Sequence, residues 1–163
     1  YAPDMPDTHR ASDARPTPLT VTDTLRLEQA TVAIWPVLAD LPPLLRASAA
    51  RLVACGTQTR LRAAEQALRE PSVAGIRHGA LLVTAGQIDA FLLAGGRPWD
   101  IAALVPIVEE AGGRFSDVTG GRSLDTPAVL FTNGVLHEQL LRCLHQGLLS
   151  GAGYVALRAD RRA

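Results

Sequence analysis

Arg97-Pro-Trp-Asp-Ile-Ala-Ala-Leu-Val-Pro-Ile-Val-Glu-Glu-Ala-Gly-Gly-Arg-Phe-Ser-Asp117 is the stretch that decides the fold. Pro98 belongs at or before a helix start, because proline is not tolerated in a helix interior. Apolar residues then recur at helical spacing, and Gly112-Gly113 supplies a left-handed stop. The pattern predicts one continuous helix, followed by a short strand over Arg114 to Val118.

Asp100 stands at the start of this predicted helix. Its carboxylate suits an N-cap, which accepts hydrogen bonds from the free N–H groups of the first turn. A second interpretation is a carboxylate held beside a metal ion and a phosphate. Helix N-termini favour anions, and hard cations take oxygen ligands. The residue types alone leave both interpretations open.

Outward from this stretch, predicted strands alternate with predicted helices, which is typical of an α/β layered sheet flanked by helices. The predicted strands are Thr31–Leu38, which Pro36 should end or place on a sheet edge, then Ala90–Leu93, Arg114–Val118 and the run from Ala128 to the Asn133-Gly134 turn. The predicted helices are a short one capped by Asp23, one from Asp40 to Gly56, Leu61–Leu68, Ala80–Ala85 and Val135–Leu144. Residues 20–149 would form one domain, between a loose N-terminal arm or remnant hairpin at 1–19 and a tail at 150–163.

A second candidate site follows the segment Val73-Ala-Gly-Ile-Arg-His-Gly79. Gly79 would let the backbone approach an anion, and Ala80 would open a helix whose N-terminus faces that anion. Arg77 or His78 could add a positive charge. A tight strand-to-helix turn with no ligand is the competing interpretation.

Composition excludes several functions. The 163 residues carry 16 basic and 16 acidic side chains, so net charge gives no pull towards nucleic acid or acidic membranes. Every basic residue is arginine, which excludes lysine chemistry. No apolar run approaches the length of a membrane span, and no signal segment opens the chain, so we expect a cytoplasmic protein. The chain begins with Tyr1, which suggests a processed, trimmed or incomplete product.

Other single residues are given structural roles. Trp35 is most simply a core residue, and His137 suits surface or capping duty. Asp89 is expected to turn the chain into the next strand. Cys55 and Cys143 are expected to be buried free thiols in a reducing cytoplasm, although sequence cannot judge a disulfide.

The order Trp99-Asp-Ile-Ala-Ala, a helical run, Glu110-Ala-Gly-Gly and a strand ending in Asp117 resembles the C-terminal signature of the inositol monophosphatase family. Pro106-Ile107 is most similar to the histidinol-phosphatase-like branch. The segment from Thr84 through Asp89 also resembles that family.

The resemblance implies a role for Asp100 as a ligand of catalytic Mg²⁺ ions and a substrate contact. It also implies that backbone amides near Gly79 and Ala80, with Arg77 and His78, face the substrate phosphate. Some branches have a substrate-binding glutamate where this sequence has Leu93, which argues against an inositol-type site or a working site.

Only the second half of the family's pattern is matched, because the upstream Glu and Asp-Pro-Ile-Asp-Gly-Thr carboxylates are missing from this sequence. The leading hypothesis is the C-terminal half of a Mg²⁺-dependent phosphomonoesterase for a small phosphorylated metabolite, inactive alone unless another chain supplies the N-terminal half. The alternative is a degenerate, non-catalytic domain that binds a phosphometabolite or a partner subunit. A truncated gene model is a third possibility. An exposed apolar surface and self-association, for example as a homodimer, are expected in either case.

Overall fold

The computed structural model describes residues 18–55 and 78–146. Within these residues, four strands form one mixed sheet: β1 (Val32–Trp35), β2 (Ala90–Ala94), β3 (Arg114–Asp117) and β4 (Ala128–Thr132). Their order across the sheet is β1–β2–β4–β3. β1 and β2 are parallel, and β4 runs antiparallel to both β2 and β3. The α/β layered fold expected from the sequence is confirmed.

Helices cover both faces of this sheet. They are α1 (Pro43–Cys55), α2 (Gly79–Thr84), α3 (Pro98–Ala102), α4 (Leu104–Glu110) and α5 (His137–His145), with 3-10 turns at Leu27–Gln29 and Leu38–Asp40. Successive side chains of a strand point to opposite faces, so each strand contributes to two hydrophobic clusters. Leu92 and Leu130 face the cluster built with α1 and α5. Phe91 and Phe131 face the cluster built with α2, α3 and α4.

The predicted continuous helix after Pro98 is wrong, because the chain forms α3 and α4 with a break at Ala103. Pro106 explains the break. It has no N–H to donate to the carbonyl of Ala102, and its ring would clash with that carbonyl in an unbroken helix. α3 begins at Pro98, so Asp100 is in its first turn and is not its N-cap, which is Arg97.

Two other predicted caps are also wrong. Asp23 lies in irregular structure, and the short helix expected after it is reduced to the 3-10 turn Leu27–Gln29. Asp40 ends the second 3-10 turn, and α1 begins at Pro43. Proline is favoured in the first turn of a helix because the N–H it lacks has no partner there, so the prolines set this start.

Several predicted elements fall outside the described residues. These are the arm up to residue 17, Gly56, the helix Leu61–Leu68, the strand after Val73 and the tail from residue 150. The other predicted strands, and helices starting near Ala80 and Val135, are confirmed within a residue or two.

Asp89 has the structural role expected of it. It is buried, and its carboxylate accepts hydrogen bonds from the Thr22 hydroxyl and, at 2.6 Å, from the backbone N–H of Thr31. The Asn133 side chain donates to the Thr22 hydroxyl and the Thr24 carbonyl and accepts from the N–H of Leu136. These bonds tie the irregular segment before β1 to the sheet and to the entry of α5.

Asp117 closes the turn that follows β3. Burial alone would raise the pKa of its carboxyl, but hydrogen bonds from Thr119, Ser123 and Gly121 stabilise the charged form and lower the pKa overall.

The cysteines correct the expectation of free thiols, because Cys55 and Cys143 form a disulfide that joins the C-terminal end of α1 to α5. The sequence could not show this pairing, since the two cysteines are 88 positions apart in sequence and are brought together by the packing of α1 on α5. Disulfides are typical of oxidising compartments.

In the described part of the chain, we find no helix with the length and apolarity needed to cross a membrane.

We predict that reducing the Cys55–Cys143 disulfide will lower the free energy of unfolding by about 2–4 kcal/mol, because the cross-link restricts the unfolded chain. Urea denaturation with and without reductant would measure this. The Cys55→Ala/Cys143→Ala double variant should have the same free energy of unfolding as the reduced wild type, and reductant should not change it. Two thiols titratable in the native, unreduced protein would contradict the prediction.

Candidate functional site

A cleft of about 570 Å³ lies at the carboxyl ends of the two parallel strands. Ligands of open α/β sheets commonly bind in this position. The starts of α2 and α3 reach the same cleft. Its lining residues are Trp35, His78, Gly79, Phe91, Leu93, Ala94, Gly95, Gly96, Asp100, Ala103 and Leu104. The structure therefore brings together Asp100, His78 and Gly79, which the sequence marks at two separate places.

Gly79 fits closely against β2. A Cβ atom at this position would overlap the ring of Phe91, and Gly79 itself is buried. The His78 ring meets the same phenyl ring edge-on, with 5.5 Å between ring centroids. The absence of a side chain at Gly79 is thus explained by helix–sheet packing, which holds the start of α2 against the cleft.

The structure places Gly79 and His78 at the cleft, but it does not do so for the other two residues of the predicted phosphate site, Ala80 and Arg77. Ala80 is fully buried, and it does not line the cleft. Its backbone N–H donates to His78 Nδ1 at 3.2 Å, so in this conformation that N–H already has a partner. Arg77 lies outside the described residues. Their proposed contact with phosphate stays a prediction.

Asp100 is exposed, and its position in α3 is fixed by its own helix. Its Oδ2 accepts a hydrogen bond from the backbone N–H of Arg97 at 3.2 Å, and its N–H donates to the Arg97 carbonyl. Arg97 in turn places its guanidinium 5.9 Å from the ring centroid of Trp99, which is 69% exposed. The carboxylate of Asp100 is thereby held in the first turn while facing the cleft.

His78 is the second polar side chain of the cleft. Burial lowers the pKa of its imidazole, and the negative charge of Asp100 opposes that shift only in part. Because Nδ1 accepts from the Ala80 N–H, the proton of the neutral ring lies on Nε2. His78 can therefore donate one hydrogen bond from Nε2 without carrying a charge.

Trp35 corrects the expectation of a core residue. It is 52% exposed and lines the cleft at the end of β1, just before a cis peptide bond to Pro36. Its neighbour across the parallel pair is Leu93, which is 7% exposed and lines the same cleft. Pro36 predicts a strand end or an edge position, and the exposure of Trp35 follows from its place directly before that proline.

His137 corrects the expectation of surface duty, because it is fully buried under β3 and β4, away from the cleft-lining residues. The Ser116 hydroxyl donates to the Asp117 carbonyl at 2.8 Å, so it accepts from Nε2–H of His137 at 2.9 Å. Nδ1 then accepts from the Thr132 hydroxyl at 2.9 Å. Burial, reinforced by the charge of Arg114, lowers the pKa of His137 to about 4.

The described residues do not fit a complete magnesium centre. The cleft offers one carboxylate, that of Asp100, and residues 18–55 and 78–146 contain no group of three His, Cys, Asp or Glu side chains that could hold a metal ion. Mg²⁺ bound by a single exposed carboxylate would keep most of its water ligands. Asp100 could supply one carboxylate to such a centre, and the described lining offers no second one.

The three-layer fold and its cleft define an α/β protein with a ligand site at the carboxyl ends of parallel strands. The family description "Inositol monophosphatase family" matches residues 45–149, well over half of the chain. The chain therefore belongs to the inositol monophosphatase family.

Individual relatives agree with this assignment. The fructose-1,6-bisphosphatase/inositol-1-monophosphatase of Thermotoga maritima is 35% identical over 68 residues, which cover 41% of this chain and 27% of that protein. The inositol-1-monophosphatase of Mesorhizobium japonicum is 40% identical over 67 residues, 40% of this chain and 25% of that protein. The structure of inositol monophosphatase from Anabaena (Nostoc) sp. PCC 7120 matches with a TM-score of 0.60 and 26% identity, over 79% of this chain and 48% of that one.

The chain thus aligns with about a quarter of the length of these two curated relatives and about half of that solved structure. The histidinol-phosphatase-like branch stays a prediction.

We predict that Gly79→Ala will destabilise the protein by about 1–3 kcal/mol, because the added methyl group overpacks the Phe91 ring. Thermal or urea unfolding would measure the change. Phe91→Leu should relieve part of the clash, so the double variant should lose less stability than the two single variants added together. An unchanged free energy of unfolding for Gly79→Ala would disprove the close contact.

We predict that stability will fall on acidification because of His137. Its pKa is 6.5 unfolded and about 4 folded, so between these values the unfolded state binds more protons. The free energy of unfolding should therefore decrease as the pH drops through this window, by up to about 3 kcal/mol. Urea midpoints at several pH values would show the slope. His137→Gln should reduce this slope, and the slope that remains includes the contribution of His78, whose pKa is also lowered by burial.

Proposed function

We propose that this chain carries the substrate side of a phosphomonoesterase site that acts on a small phosphorylated metabolite. The observation that supports it is the convergence of Asp100, His78 and Gly79 in one cleft of a chain that belongs to the inositol monophosphatase family. The proposal covers the part of the site that these residues form. Two curated relatives are named as inositol-1-monophosphatases, one of them also as a fructose-1,6-bisphosphatase.

In this proposal Asp100 supplies one oxygen ligand to a Mg²⁺ centre. The remaining carboxylates come from another segment or another chain, because the described residues offer none beside the cleft. When bound, Mg²⁺ would supply charge neutralisation at the phosphate. We derive no reaction step through it, because the described residues do not complete its site.

His78 and Gly79 have defined roles in the same proposal. The Nε2–H of neutral His78 is available to donate to a phosphate oxygen, since Nδ1 is held by the Ala80 N–H. Gly79, packed on Phe91, fixes the backbone from which His78 projects. These residues bind and orient the phosphate, and this chain alone is expected to release no phosphate from an ester.

We expect Mn²⁺, used as a paramagnetic stand-in for Mg²⁺, to broaden the NMR signals of backbone amides around Asp100. The metal ion binds near its carboxylate ligand, and excess Mg²⁺ should reverse the broadening. Asp100→Asn should abolish the effect. Glu110→Gln, at the exposed end of α4, is the matched control and should behave as wild type. Equal broadening in wild type and Asp100→Asn would remove Asp100 from the proposed site.

A phosphate-release assay with a panel of phosphomonoesters and Mg²⁺ completes this test. Release that disappears in Asp100→Asn would mean that a complete centre forms in this chain or with a copy of it, contrary to the incomplete site proposed here. Phosphate binding without any metal effect at Asp100 would instead favour the alternative, a non-catalytic domain that binds a phosphometabolite. The single carboxylate of the cleft is the observation that keeps this alternative open.

A further inference from the structure

The cleft is divided into a polar side and an apolar side. His78 and Asp100 are the two ionisable side chains in its lining, and both lie at helix starts. The strand side is apolar. Trp35 and Leu93 are directly paired across β1 and β2, and Phe91 precedes them on the same face of β2. A molecule whose charged group is held by His78 and Asp100 would therefore place its remaining atoms against the apolar side chains of the strands.

We propose that Trp35 is a specificity-determining residue that selects phosphomonoesters whose organic group is a flat, apolar ring. The inference rests on the proposed function, because it takes the polar side of the cleft as the phosphate position. The organic group then lies against the exposed half of the Trp35 side chain and against Leu93.

Desolvation explains the selection. A polyol placed against Trp35, Leu93 and Phe91 would lose water from several hydroxyl groups and could gain only one donor, the indole N–H of Trp35, which is unfavourable. A planar ring has no such hydroxyl groups to satisfy. It buries apolar area and stacks on the indole, as aromatic groups do in offset or edge-to-face contacts. The 52% exposure of Trp35 is the surface available for that contact.

Fluorescence excited at the red edge of the tryptophan band can report the contact directly, because the chain has two tryptophans and Trp99→Phe leaves Trp35 as the sole one. This variant would be titrated with phenyl phosphate, glycerol 2-phosphate and inorganic phosphate in the presence of Mg²⁺. Phenyl phosphate should change the Trp35 emission. Inorganic phosphate, which does not reach the strand side, should change it little.

Isothermal titration calorimetry on the full chain measures the affinities for the two esters, and their ratio is the selectivity. Wild type should bind phenyl phosphate about tenfold more tightly than glycerol 2-phosphate, the ratio expected for one aromatic contact. Trp35→Ala should lose this ratio, Trp35→Phe should keep most of it, and Trp99→Ala should leave it unchanged. Trp35 is half exposed, so these variants are expected to fold.

Each of the other possible results would disprove either the selection by Trp35 or the proposed function. Equal affinities for the two esters, both weakened by Asp100→Asn, would disprove the selection and leave the proposed function standing. A preference for phenyl phosphate that survives Trp35→Ala would remove Trp35 from this role. No binding of either ester or of inorganic phosphate would disprove the proposed function together with the inference.

Discussion

Burial of β2 on both faces is the constraint on which the rest of the structure depends. Residues 90–93 of this strand are all buried, and alternate side chains enter opposite hydrophobic clusters. A strand in this position needs a strand on each side and helices above and below, because its backbone and both of its faces must be shielded from water. β1 and β4 provide the flanking strands, and the two groups of helices provide the layers.

The same strand also determines where the cleft forms. Phe91 accepts the start of α2 because Gly79 has no side chain, and α3 begins just after β2 ends. Two helix starts are thus brought to the end of one strand by close packing and by a short connection. The neighbouring β1 ends at the same edge because it is parallel to β2, which adds Trp35. The cleft is a consequence of packing and topology, and its chemistry comes from His78 and Asp100.

The sequence predicts those features that repeat locally. Strands rich in β-branched and apolar residues, and the apolar stripe of α5, have a period that can be read without a structure. Features that depend on tertiary packing were missed or mistaken. His137 lies within a predicted helix, yet its burial depends on Ser116 and Thr132 of distant strands. The position of Asp100 in the first turn of α3, instead of at the cap, follows from Pro98, which takes the first position of the helix and makes Arg97 the N-cap. Pro106 divides the apparently regular apolar stripe into α3 and α4.

The charges of the cleft explain why the proposed phosphate site would require a bound cation. Asp100 brings a negative charge, and His78 is held towards its neutral form by burial, so it offers a hydrogen bond without offsetting that charge. The guanidinium of Arg97 lies over Trp99, which does not line the cleft. A phosphate dianion approaching these groups meets like charge, and the repulsion is stronger in a partly buried cleft than in water. A divalent cation held in part by Asp100 would neutralise charge and so reduce this repulsion. In the function proposed here, the residues of this cleft would therefore favour an anionic ligand that arrives with a metal ion over an anion that arrives alone.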